Sequence, residues 1–254
     1  MTINLDQVWL MSVFLVAVRL GVVLTMTPIF TNLAGLTTVR VLFTLSLSVL
    51  LVSGMGVKPV LTSLDLGHIV LAAMGEVVVG ATMAFGIFAA FGAFSLAGKI
   101  LDIQAGFGIG SVYDPVTRTG APLFASMLDL VAVSVFFGMD AHHALLRGLA
   151  FSLQQVAPGA GLRALELEPV IRQFGLMFSL GVALIIPVML SLLLVEVGMA
   201  VISRVLPQMN VIVVGVPVKI FAGVAILAIT ITSLGPVMGS IFASIFTFWE
   251  QVLL

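Results

Sequence analysis

Of the 254 residues, 61% are hydrophobic and only 8% charged, giving a mean hydropathy of +1.31, whereas a water-soluble domain covers its exterior with about 25% charged residues. A soluble fold is therefore excluded, and the 10 basic and 11 acidic residues, scattered singly, form no stripe for nucleic acid. Without cysteine there are no disulfides, thiolate metal sites or thiol nucleophiles.

The stretch from Met1 to Gln7 carries Asp6 and no basic residue, and no small-x-small cleavage pattern follows, so the first apolar segment is expected to be retained. A spanning helix needs about 20 mainly apolar residues, and six or seven such stretches are found. The first runs from Val8 to Met26, holds Arg19 and is stopped by Pro28; the second runs from Val39 to Met55 and ends at Gly54, Gly56, Lys58 and Pro59. Each fits a spanning helix or one arm of a hairpin.

The third, Leu66 to Ala97, is long for one span and contains Gly75, Glu76, Gly80, Gly86 and Gly92, so it is expected to bend or break while letting neighbours approach closely. Lys99 to Pro122 follows as the least apolar stretch and reads as a loop. The fourth, Leu123 to Gln154, holds Asp129, Asp140, His142, His143 and Arg147, so part of it must face protein or water. A short polar loop from Ala157 to Pro169 carries Arg163, Glu166 and Glu168. The fifth, Phe174 to Ile202, should kink at Pro187, and Glu196 lies near its end. The last apolar region, Val211 to Leu254, is punctuated by Gly235, Pro236 and Gly239 and reads as a helical hairpin. The chain has no linker or large polar block, which predicts a single membrane domain over residues 1–254. The basic residues do not alternate between successive connections, so charge assigns no orientation.

Three constellations invite chemistry. Asp140, His142 and His143 are metal-ligand residue types, but neighbours on a regular helix point about 100° apart. Only Asp140 and His143 share a face there, so the expectation is a polar helix-end cluster and no metal. Gly106, Gly108 and Gly110 resemble a phosphate-cradling loop, yet no Gly-Lys-Ser/Thr ending follows and the next basic residue is Arg118. Ser111 with His143 lacks the glycine-flanked nucleophile turn of a hydrolase, and serines in apolar helices commonly bond a carbonyl one turn back. No catalytic residue and no cofactor is expected. Glu76 and Glu196 are the informative charges, because a carboxylate at membrane depth costs on the order of 3 kcal/mol unless paired or solvated. They are either interhelical ties or the ion ligands of a small-solute transporter. A repeat between the halves would favour the transporter, and none is evident.

Two stretches carry a resemblance. Gly98-Lys99-Ile100-Leu101-Asp102-Ile103-Gln104-Ala105-Gly106, continuing to Asp114-Pro115, and Pro207-Gln208-Met209-Asn210-Val211, followed by Gly215, Pro217 and Lys219, resemble the motifs of the FliR/SctT family of type III export-gate subunits. Arg19 with Pro28, Gly75-Glu76 with Gly80, and His142-His143 with Ser152 agree in order and spacing. The resemblance implies an all-α membrane protein of six to seven apolar helices arranged as hairpins. It implies a non-catalytic core subunit of the flagellar export gate in the bacterial inner membrane, within the flagellar basal body. Its partners would be P-type and Q-type subunits (FliP, FliQ), the switch subunit FlhB and, transiently, unfolded export substrates; an injectisome gate is the alternative. It also implies that Gly106, Gly108, Gly110, Asp114, Pro115, Arg118, Gly120 and Pro122 belong to a loop that plugs the pore, with buried intersubunit roles for Glu76, Glu196 and Lys219. That agrees with the rule that irregular polar backbone at membrane depth must line a cavity.

Overall fold

The computed structural model describes residues 7–28, 37–57, 59–60, 65–107, 122–160, 166–206, 208 and 211–254. These form eight helices: α1 (Gln7–Met26), α2 (Thr37–Met55), α3 (Leu66–Ala105), α4 (Leu123–Gly138), α5 (Ala141–Gln155), α6 (Leu167–Val205), α7 (Val211–Thr230) and α8 (Gly235–Leu253). Among the described residues there is no strand. Helices α1, α2, α3, α6 and α7 are long and apolar enough to cross a membrane; counting α4 with α5 as one broken span makes six. The chain is an all-α membrane protein.

Helix ends mostly follow the sequence punctuation, but α6, expected from Phe174, already begins at Leu167 inside the stretch read as a loop, and two further departures stand out. The third segment neither breaks at its glycines nor ends at Ala97; it runs as one 40-residue helix to Ala105. Its glycines are places of close approach instead. A Cβ on Gly80 would lie 2.8 Å from the Arg19 carbonyl oxygen, and one on Gly181 of α6 would lie 2.8 Å from that of Ala93. The fourth segment is the one that breaks, at Met139 and Asp140. Asp140 has φ 56°, the sole left-handed non-glycine among the described residues.

The described chain forms two compact units. The first comprises residues 1–89, 140–174 and 242–254, and the second residues 90–139 and 175–241. In the first, α1 and α2 pack together, and the stripe Phe242, Ile245, Phe248 and Trp249 of α8 is buried at helical spacing. Gly86 and Gly148 leave the room that the Phe248 and Trp249 rings occupy, and the Trp249 Nε1 donates to the Met83 carbonyl at 3.0 Å. In the second, Phe91 packs on Phe136 with ring centroids 5.6 Å apart, and Leu184, Ile185, Val188 and Leu192 form the buried face of α6.

Several hydroxyls in the apolar helices are satisfied locally. Ser12, Thr27, Thr44, Ser48, Thr82, Ser191 and Thr230 each donate to the carbonyl four residues back. Much apolar surface stays uncovered by the chain itself. The best-buried spanning window, in α3, is 61% buried, against 17% in α2 and α7 and 28% in α6, so the last three present faces suited to lipid or to other apolar protein.

Candidate functional site: two buried polar nodes

Arg19 is the only charged side chain of α1 and is fully buried. An isolated charge there would not be tolerated, so its donors must be met. Its Nε donates to Glu76 Oε2 at 2.6 Å, Nη1 to the Ser152 carbonyl at 2.9 Å and hydroxyl at 3.3 Å, and Nη2 to the Val156 carbonyl at 2.9 Å. The guanidinium thus closes the C-terminal end of α5, where exposed carbonyls favour a cation. Glu76, in turn, spends its second oxygen on the Gly159 amide at 3.0 Å. Gly159 reaches that position with φ 84°, a conformation open to glycine and costly for other residues. One ion pair therefore ties α1, α3, α5 and the turn after it into the first unit. Gly75 is buried beside Glu76 and Pro28 follows the end of α1, as the sequence suggested.

The second node lies within the second unit at the C-terminal end of α3. Gly106 has φ 93°, its amide bonds the Ile103 carbonyl at 3.1 Å, and the Phe107 amide bonds the Asp102 carbonyl at 3.0 Å. That pair of bonds is a Schellman cap, so Gly106 ends a helix before any loop begins. The Asp102 side chain, 5% exposed, accepts from the Phe124 amide at 2.9 Å and the Ala125 amide at 3.0 Å. Pro122 offers α4 no side-chain cap, and Asp102 takes over that task from another helix, neutralising two amides that would otherwise be orphaned. Gly98, one turn earlier, faces the Ala125 backbone with no room for a Cβ, and the Phe107 and Phe124 rings meet edge to face at 6.3 Å. These contacts hold Phe107 and Phe124, on either side of residues 108–121, close to each other.

Gln104 and Lys219 extend the node. The Gln104 side-chain amide donates to the Met189 carbonyl of α6 at 2.9 Å, and Lys219 of α7 lies 3.4 Å from both the Gln104 carbonyl and Glu196 Oε2. Glu196 is 59% exposed and Lys219 18%, so their pairing orients rather than stabilises. Gly215 is buried near Met199, Pro217 sits exposed within α7, and Gln208 is an exposed turn residue.

Gly108, Gly110, Asp114, Pro115, Arg118, Gly120, Pro207 and Asn210 lie outside the described residues. Ser95, which donates to Asp129, and Gly159, which donates to Glu76, had no signal in the sequence. The stripe that buries Trp249 did have one, in its helical spacing. His143 stands apart from both nodes, beside Asp140 and His142 at the start of α5.

Residues 10–245 match the family of bacterial export proteins, family 1. The chain is 29% identical over 180 residues to the flagellar biosynthetic protein FliR of Bacillus subtilis (strain 168), covering 69% of this chain and 70% of that one. It is 26% identical over 217 residues to the FliR of Aquifex aeolicus (strain VF5), covering 85% and 83%. The surface presentation of antigens protein SpaR of Shigella flexneri is 28% identical over 162 residues, covering 64% and 63%. With both motif-bearing stretches and nearly the whole chain inside that match, this chain belongs to the bacterial export proteins, family 1.

Proposed function

We propose that the chain is a core subunit of a flagellar type III export gate, assembling with P-type and Q-type subunits in the bacterial inner membrane around a pore for unfolded proteins. The observation that carries this reading is the pinned loop base. Gly98, Asp102 and Gly106 hold the residues on either side of 108–121 together through backbone contact, a helix cap contributed by another helix and a Schellman turn. A polar segment whose flanking residues are held close together suits a plug across a conduit. The exposed apolar faces of α2, α6 and α7 suit docking against similar helices.

The flagellar assignment over the injectisome rests on the FliR relatives, whose alignment reaches 85% of this chain, against 64% for SpaR. A solute transporter built on Glu76 is disfavoured because both of its oxygens are already engaged, by Arg19 and by the Gly159 amide. The role is architectural, with export energy supplied by other components.

Replacing residues 108–121 with a short Gly-Ser linker, which spares the Gly106 cap, tests the plug. Cells lacking the whole chain should export no flagellar protein, whereas the loop-replaced chain should still assemble and raise ion permeability, read as membrane depolarisation. An assembled, loop-replaced complex whose membrane holds its potential would remove the plug from the account.

A further inference from the structure

The start of α5 holds a cluster that neither node uses. One ligand-type atom from each of Asp140, His142 and His143 lies within 4.8 Å of the other two. The sequence argued against this meeting, because successive residues on a regular helix diverge. Asp140 precedes α5 in a left-handed turn at φ 56°, while His142 and His143 both lie within the helix and come together through their side chains. The two imidazoles then lie side by side, with ring centroids 4.1 Å apart and planes tilted by 36°.

Asp140 occupies the N-cap of α5, a position where aspartate ordinarily accepts a helix amide, yet its side chain makes no cap bond. Its Oδ1 sits 3.5 Å from His143 Nδ1 instead. That is too long for a strong charge-assisted hydrogen bond. It does match the edge of a tetrahedron around zinc, about 3.4 Å for metal–ligand bonds of about 2.0–2.2 Å. Asp140 and His143 are largely exposed, with 77% and 62% of their side chains accessible, so an ion can reach them and water can complete its shell.

We propose that Asp140, His142 and His143 form a site for one divalent transition-metal ion of the zinc class. Two imidazole nitrogens and one carboxylate oxygen suit zinc, nickel or copper and do not suit magnesium or calcium, which take oxygen ligands. The site lies at the start of α5, so a bound ion would tie the Asp140 turn to the first turn of that helix.

The test uses the full chain, purified from membranes with the subunits that accompany it and carrying no polyhistidine tag, titrated with zinc chloride by calorimetry. One saturable equivalent is expected, unaffected by excess magnesium. His142→Ala and His143→Ala should each weaken it about tenfold or more, since loss of even a supporting residue costs that much. His68→Ala, replacing the remaining histidine, should leave it unchanged. A measurement on the unaltered protein keeps the test independent of folding: zinc should shield His142 and His143, and not His68, from diethylpyrocarbonate, as read by mass spectrometry. No saturable binding, equal loss on His68→Ala, or absence of that selective shielding would each overturn the site.

Discussion

An Arg19→Ala chain is expected to lose roughly 3–5 kcal/mol of stability and to fail to accumulate in the membrane, because it leaves Glu76 charged and buried without its partner. The arithmetic favours a large effect, since the guanidinium makes four hydrogen bonds and no water reaches it. Its removal also uncovers the Ser152 and Val156 carbonyls at the end of α5. Thermal unfolding in detergent, followed by aggregation, measures the loss. The double replacement Arg19→Met with Glu76→Leu removes both charges at similar volume and should recover a substantial part of it. Equal stability of Arg19→Ala and the unaltered chain would show that this pair does not organise the first unit.

Gly98→Val should be the most damaging change in the second unit. A Cβ at Gly98 would lie 2.6 Å from the Ala125 nitrogen and 2.8 Å from the Phe124 carbonyl oxygen. Both are backbone atoms, so no rotamer change relieves the clash and α3 and α4 must separate locally. Overpacking costs about 1–3 kcal/mol, and separation also strips the Asp102 cap from α4, worth about 1–2 kcal/mol more. The predicted outcome is lost assembly and lost export. Gly92→Ala is the matched comparison, because its new Cβ would meet the Met177 sulfur at 3.0 Å, the flexible part of a side chain that can yield. Similar export by the two variants would contradict the claim that Gly98 holds the loop base.

What the sequence made legible follows from which forces are local. Helix boundaries from Met26 to Met55 and the serine back-bonds were readable because Pro28, Gly54 and the serine hydroxyls act within one turn. The need of Glu76 for a partner was readable from membrane energetics, but not that the partner is Arg19, 57 residues away. The glycines of α3 pointed to a break, since glycine weakens a helix in isolation. In the folded chain Gly80 and Gly98 admit neighbouring backbone, and packing outweighs propensity. Asp102 stood out only through its motif. Its capping of a helix that begins at Leu123 depends on tertiary geometry that no periodicity encodes. That Asp140, His142 and His143 bring ligand-type atoms within 4.8 Å of one another was not legible either, because it depends on side-chain rotamers and on the left-handed turn at Asp140.

The central claim is that the uncovered apolar faces of α2, α6 and α7 exist for sister subunits of an export gate. Mild-detergent purification of the chain from its own membrane, followed by mass spectrometry of the intact assembly, tests this most directly. The account predicts a stable complex containing P-type and Q-type subunits in fixed ratio to this chain, and poor recovery of the chain when it is produced alone. A monodisperse, well-folded monomer that carries no such subunits would contradict it.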